Sequence, residues 1–139
     1  MQVHGSCAAR DGAGVLLVGP AGVGKSDLVL RLLDRGFVLV ADDRVEIADG
    51  VARPAEGLAG LLEVRGLGIV RLPHVAPVRL ALAVELGMQG ERLPAPARWQ
   101  YADLPLLRLD GARPSAAGVV ALALDCATGR VGQVAGAFA

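Results

Sequence analysis

Aromatic residues are scarce in this chain, at 3% of its 139 residues. A hydrophobic core must therefore be built from Leu, Val and Ala, which dominate the 53% of hydrophobic positions. The formal net charge is zero and no basic run is present. A nucleic acid is consequently not expected as the main partner. The length suits a single domain with a real core.

Cysteines and long apolar runs are also few. Cys7 and Cys126 lack metal-site spacing and are interpreted as small buried residues of a cytosolic protein. The start, "MQVHGSCAARDG", lacks the apolar segment of a signal peptide, so no leader is expected. The apolar stretch "AAGVVALALDCA" is too short to span a bilayer. These features predict a cytoplasmic protein without a membrane partner.

Lysine occurs once, as Lys25, within a stretch that fits G-x-x-x-x-G-K-[ST] completely. Glycines let backbone N–H groups turn inward around a phosphate, and the following helix directs its positive dipole end at that anion. The lysine supplies charge to the β- and γ-phosphates, and the Ser hydroxyl can ligate magnesium. The motif therefore predicts ATP and Mg²⁺ as ligands. Its cofactor-binding residues are Gly19, Pro20, Ala21, Gly22, Val23, Gly24, Lys25 and Ser26.

The surrounding pattern predicts an α/β fold in one domain, residues 1–139. "GVLLVG" indicates a buried strand before the loop, and the leucines of "SDLVLRLLDRG" are at helical spacing after it. "FVLVADD" indicates a second buried strand, expected near the loop strand in a parallel sheet. Asp49-Gly50 predicts a hairpin turn, and Ser115 is the expected N-cap of a C-terminal helix. Residues from about 127 to 139 are expected to be poorly ordered.

Two adjacent carboxylates, Asp42 and Asp43, end the second strand. Ligands of such sheets bind at the carboxyl ends of strands, so both are expected near the γ-phosphate. Neighbouring strand residues point to opposite faces, which predicts different tasks for the two. One would reach magnesium or position a loop, and the other would act as general base. A solvated strand end with a capping Asp is the simpler alternative.

Three separated stretches resemble the bacterial HPr kinase/phosphorylase family. They are "VHG" before the loop strand, the loop through "LVADDRVEI", and "LLEVRGLGIVRL", and they cover roughly the first half of the chain in the family's order. The resemblance implies a P-loop kinase-like core with a mixed central sheet, of the phosphoenolpyruvate carboxykinase type. It also implies a serine-protein kinase that phosphorylates the carrier protein HPr, can remove that group by phosphorolysis, and is usually a homohexamer.

Roles for individual residues follow from the same resemblance. Asp43 is the implied acid/base group, supported by Asp42, and His4 matches the catalytic-site histidine. Glu63 matches a second magnesium contact beside Ser26, where the alternative is a strand-edge carboxylate. Arg92, in "GERLP", resembles a stretch in which an arginine is catalytic.

Departures from the family pattern are informative. The usual N-terminal domain is absent from this sequence, as in the short, catalytic-domain-only forms of alphaproteobacteria. The Pro-x-Arg-Pro-Gly-Arg motif is represented only by Arg113 and Pro114 in "GARPSAA", which favours the kinase direction over phosphorolysis. Two other classes stay open. One is a small-molecule P-loop kinase that uses "QGERLPAPARWQ" as a lid, and the other is a nucleotide-binding regulatory module without turnover.

Overall fold

A computed structural model describes the whole chain, residues 1–139. It is a mixed α/β fold of ten strands and two helices. In chain order these are β1 Gln2–Arg10, β2 Ala13–Val18, α1 Lys25–Leu33, β3 Val38–Ala41, β4 Arg44–Ala48, β5 Val51–Pro54, β6 Leu61–Val64, β7 Gly68–Arg71, β8 Val78–Leu86, β9 Arg98–Trp99, β10 Leu104–Leu109 and α2 Ala116–Ala127. Neither helix is long and apolar enough to cross a membrane.

The main sheet is mixed, as expected. Its strands follow the order β2-β1-β4-β5-β8-β10-β9, with β3 also pairing with β1. β8 runs parallel to both β2 and β10, whereas β1 runs antiparallel to β2, β3 and β4. A separate antiparallel ribbon is formed by β6 and β7.

The neighbourhood of the loop strand differs in one respect from the expectation. β2 and β3 are parallel in direction, but β1 lies between them and is antiparallel to both. Cys7 of β1 pairs with Leu16 of β2 on one side and with Ala41 of β3 on the other, so the three strands lie side by side in the order β2-β1-β3. The carboxyl ends of β2 and β3 and the start of β1 therefore meet at one edge of the sheet.

The core has two layers because the central strands are buried on both faces. On β2, Val15 and Leu17 pack toward the helices, while Leu16 packs into the opposite cluster with Cys7. In β8, Arg79 near the start is exposed, whereas the later apolar residues are buried in both layers. Continuous apolar runs of this kind are typical of strands covered on both sides.

The C-terminal helix begins after Ser115, as predicted, although the Ser115 hydroxyl does not cap it. That hydroxyl instead accepts a hydrogen bond from Arg113 Nε at 3.1 Å. The tail beyond α2 contains no helix or strand, and its Ala137 is buried while Phe138 packs against the core. Of the two cysteines, Cys7 is fully buried and Cys126 half-buried, so burial is confirmed in full only for Cys7.

Two tight turns use aspartates in the left-handed region. Asp49 and Gly50 have φ values of 52° and 76° and join β4 to β5, which confirms the predicted hairpin. Asp43, with φ 70°, turns the chain between β3 and β4. Two backbone hydrogen bonds hold that turn: Arg44 N–H donates to the Asp42 carbonyl and Gly5 N–H to the Asp43 carbonyl. Asp and Asn tolerate this conformation better than other residues with a Cβ.

The C-terminal helix offers a matched test of the core. Leu124→Ala removes a buried side chain and should lower the free energy of unfolding by about 2–5 kcal/mol. Leu122→Ala, on the same helix but 55% exposed, should cost less than about 1 kcal/mol. Urea unfolding measures both, and equal losses would contradict the helix orientation described here.

The Asp43 turn predicts an unusual pattern of tolerance. Asp43→Val should lose about 1–2 kcal/mol of unfolding free energy because a β-branched residue is strained at positive φ. Asp43→Asn and Asp43→Gly should stay within about 0.5 kcal/mol of the unsubstituted chain. Thermal and urea unfolding distinguish these outcomes; a neutral Val substitution would show that the turn is not strained.

Candidate active site

The loop from Gly19 to Gly24 connects the end of β2 to the start of α1. Gly19 is required by a close approach, because a Cβ there would lie 2.8 Å from the Leu86 carbonyl oxygen of β8. Gly24 is the N-cap of α1 and has φ 101°, a conformation that favours glycine. The first turn of the helix therefore opens directly onto the loop, as an anion-binding site requires.

Lys25 lies at the start of α1 and folds back over the loop. Its Nζ donates hydrogen bonds to the Gly19 carbonyl at 2.7 Å and the Pro20 carbonyl at 3.0 Å. Partial burial lowers the pKa of Lys25 below its ordinary value, and the negative charges of Asp42 and Asp43 oppose that shift. A cation held by weak carbonyl partners can exchange them for the more strongly charged oxygens of a phosphate.

Asp42 is buried, with only 6% of its surface exposed, and it joins three elements. Its Oδ1 accepts hydrogen bonds from Ser6 Oγ and Ser26 Oγ, each at 2.7 Å. Its Oδ2 lies 3.0 Å from Ser26 Oγ and accepts the Glu63 backbone N–H at 3.3 Å. Protein donors from β1, α1 and β6 thus surround this carboxylate.

Asp43 is placed quite differently. Its side chain is 71% exposed and its nearest cation is Arg44, whose Nε lies 3.9 Å from Oδ2. The turn at Asp43 separates the two carboxylates, so that one is enclosed by protein and the other faces solvent at the rim of a cavity. They do not form one bidentate clamp.

A cavity of about 850 Å³ lies above this edge of the sheet. The phosphate loop forms one wall, the start of β1 a second, and β6 the third. Its lining combines residues of the phosphate loop with charged and polar side chains, and includes His4, Ser6, Gly19, Pro20, Ala21, Gly22, Gly24, Lys25, Ser26, Asp43, Glu63 and Arg65. The size is in the range of ligand pockets, and the mixture of loop amides and charged groups suits a polyphosphate.

The oxygen atoms at the site fit a hard cation. Ser26 and Glu63 both line the cavity, and Asp42 contacts each of them, through the Ser26 hydroxyl and the Glu63 N–H. No group of three or more His, Cys, Asp or Glu side chains is arranged to hold a metal ion alone. Magnesium typically takes one or two protein ligands and completes its shell with phosphates and waters, so this sparse set fits a magnesium–nucleotide complex.

The cavity unites most of the predicted site residues but not all of them. His4, Lys25, Ser26, Asp43 and Glu63 share it, together with the loop glycines. Of the remaining loop residues, Val23 packs against the helix-side core cluster.

Arg92 lies elsewhere, in a second, mainly apolar cavity that it shares with Leu93 of its own loop, Cys126 of α2 and Phe138 of the tail. The structure therefore does not bring Arg92 to the phosphate loop.

Ser6 lines the cavity and contacts Asp42, and sequence reasoning did not place it at the site. It follows His4 by two positions on β1, so strand alternation places both side chains on the same face. The spacing would have indicated that Ser6 lies at the site only if the position of β1 between β2 and β3 had been known.

The chain is similar in sequence to proteins described as HPr kinase/phosphorylases. The chain is 32% identical over 153 residues to a putative HPr kinase/phosphorylase of Fusobacterium nucleatum subsp. nucleatum, covering 95% of this chain and 25% of that protein. It is 45% identical over 76 residues to the HPr kinase/phosphorylase of Clostridium novyi, covering 52% of this chain and 25% of that protein. The chain thus spans about a quarter of the length of these relatives.

A solved structure supports the fold. The Hpr(Ser) kinase/phosphatase from Coxiella burnetii superposes with a TM-score of 0.71 at 21% sequence identity, covering 94% of this chain and 90% of that one. The similarity extends across both halves of the chain, including the part beyond the recognisable motifs. At this identity it establishes the mixed α/β fold.

The family model described as HPr Serine kinase C-terminal domain matches residues 1–78. That range contains every residue that lines the cavity, and also the buried Asp42 beside it. The match covers more than half of the chain and coincides with the assembled site. The chain therefore belongs to the HPr serine kinase C-terminal domain family.

Proposed function

We propose that this chain transfers the γ-phosphoryl group of ATP to a serine of the phosphocarrier protein HPr. One observation carries the proposal. A complete phosphate loop and the exposed carboxylate of Asp43 line one cavity, and the buried carboxylate of Asp42 accepts a hydrogen bond from Ser26 beside it, in a chain of the HPr serine kinase C-terminal domain family. The relatives named HPr kinase/phosphorylase share this region of sequence.

The loop and Lys25 bind the nucleotide. Backbone N–H groups from the loop and the first turn of α1 would surround the phosphates, and the Lys25 ammonium would leave the Gly19 and Pro20 carbonyls for the β- and γ-phosphate oxygens. Ser26 and Glu63 would hold magnesium, which neutralises charge on the phosphates when bound. Positioning and electrostatics supply most of the catalysis in phosphoryl transfer.

Asp43 moves the proton. As the serine Oγ of HPr attacks the γ-phosphorus, the Asp43 carboxylate takes the hydroxyl proton and ADP leaves. Asp43 is suited to this because its carboxylate is exposed at the cavity, whereas Asp42 is enclosed by donors. His4 lines the same cavity and is assigned a catalytic-site role by resemblance.

The reverse reaction uses the same groups. In phosphorolysis, inorganic phosphate would attack the phosphorus of the phosphoserine and form pyrophosphate, and protonated Asp43 would return the proton to the departing serine oxygen. We further assign to the chain, by resemblance, a core of the phosphoenolpyruvate carboxykinase type, assembly into a homohexamer and work in the cytoplasm.

One observation favours a second candidate, a nucleotide-binding regulatory module without turnover. Arg92, the arginine expected to be catalytic, lies in a different cavity from Lys25 and Asp43. A kinase must therefore either work without Arg92 or reposition it. A nucleotide-binding module would bind ATP with magnesium and leave HPr unmodified.

Incubation with ATP, magnesium and HPr tests the kinase directly. We expect phosphoserine on HPr by mass mapping. Lys25→Ala should reduce its formation by about 100-fold or more, because the only lysine at the phosphates is lost. Arg130→Ala serves as the control, since Arg130 pairs with Asp11 away from the cavity. ATP binding without any phosphoserine would identify the regulatory module instead.

Substitutions at the paired aspartates separate proton transfer from binding. Asp43→Asn keeps the turn but cannot accept a proton, so transfer at saturating nucleotide should fall by about two to four orders of magnitude. Its affinity for ATP with magnesium should change far less. Asp42→Asn should cost less in the chemical step, but should lower the free energy of unfolding by about 1–3 kcal/mol, because an amide replaces one of the two acceptor oxygens by an NH2 group and one of the surrounding donors loses its acceptor.

Single-turnover transfer, nucleotide titration and urea unfolding measure these effects. A collapse of nucleotide binding in Asp43→Asn would make the pair a metal site. A larger chemical loss in Asp42→Asn would assign the acid/base role to the buried neighbour.

A further inference from the structure

Ser6 is a buried polar residue that no sequence motif includes. It is 1% exposed, and Ser6 and Asp42 are the only polar or charged residues of the buried set. The Ser6 hydroxyl lies 2.7 Å from Asp42 Oδ1, and the residue also lines the cavity beside the phosphate loop. A buried polar side chain costs free energy unless it is hydrogen-bonded, and the hydrogen bond to Asp42 meets that requirement.

The orientation of Ser26 depends on Asp42. A serine hydroxyl has a single proton, and here that proton is directed to Asp42, at 2.7 Å from Oδ1 and 3.0 Å from Oδ2. The oxygen lone pairs are consequently free on the side away from Asp42. If the Asp42 carboxylate rotates, the hydroxyl proton and the lone pairs rotate with it.

The orientation of Asp42 depends in turn on two donors besides Ser26. The Glu63 backbone N–H reaches Oδ2 at 3.3 Å, which is long for a hydrogen bond to a carboxylate. The Ser6 hydroxyl reaches Oδ1 at 2.7 Å, the distance expected for a strong one. Apart from Ser26 on α1, Ser6 therefore donates the shorter of the two hydrogen bonds that hold Asp42.

We propose that Ser6 is a positioning residue for the magnesium–nucleotide complex. Its hydroxyl fixes Asp42, Asp42 fixes the proton of Ser26, and Ser26 then presents its lone pairs to the cation. The inference rests on the proposed binding of ATP and magnesium but requires neither HPr nor turnover. Partners that orient the groups around a metal ligand commonly affect metal affinity by about 10- to 100-fold.

Calorimetric titration with a non-hydrolysable ATP analogue, with and without magnesium, tests the proposal. Ser6→Ala should reduce the gain in affinity that magnesium provides by about tenfold and leave the metal-free affinity within about twofold. Ser6→Thr keeps the hydroxyl and suits a strand, so it should restore the gain. Cys7→Ala is the matched control, because Cys7 is the next residue of β1, is fully buried and packs in the core layer opposite to the helices.

If Ser6→Ala does not fold, Ser6→Cys is titrated in its place. A thiol is a weaker donor than a hydroxyl, so the magnesium-dependent gain should fall to an intermediate value. A gain equal to that of the unsubstituted chain in Ser6→Ala, or in Ser6→Cys if Ser6→Ala does not fold, would overturn the role of Ser6. Equal losses with and without magnesium would overturn it as well, by showing a merely structural effect. An unsubstituted chain that binds no nucleotide would instead refute the proposed function on which the inference rests.

Discussion

The site depends on one buried carboxylate. Asp42 accepts hydrogen bonds from the Ser6 and Ser26 hydroxyls and from the Glu63 N–H, which belong to three different elements. An ionised group in the interior is costly unless it is hydrogen-bonded, so these donors must converge for the fold to tolerate it. The same convergence places the loop helix, the start of β1 and the ribbon around one cavity. The hydrogen bonds that stabilise the buried Asp42 carboxylate thus also bring together the elements of the site.

A single turn gives the two adjacent aspartates different environments. A regular strand would direct neighbouring side chains to opposite faces. The left-handed conformation at Asp43 instead ends the strand and leaves the second carboxylate exposed at the cavity rim. Strained backbone at such a position commonly coincides with function. The enclosed carboxylate accepts hydrogen bonds from hydroxyls and an amide, and the exposed one is accessible from the cavity.

Much of the fold could be predicted from local pattern. The strand, phosphate loop and first helix, the Asp49-Gly50 hairpin and the start of the C-terminal helix all lie where periodicity and turn chemistry place them. The insertion of β1 between β2 and β3 could not be predicted, because local pattern does not encode which strands pair over long distances. Arg92 shows the same limit: a short sequence match predicts a catalytic role for it, yet it lines a different cavity from the phosphate loop, shared with α2 and the tail.

By itself, the sequence determined which chemical groups are available and which of them are adjacent along the chain. The phosphate loop needs only consecutive residues, because its glycines, its lysine and the helix that follows create an anion site locally. Only the tertiary structure decided that Ser6 supports Asp42, that Glu63 meets Ser26 through that carboxylate, and that Arg92 lies apart. Those relations join residues distant in sequence, and they are set by strand order and by the requirement to hydrogen-bond a buried charge.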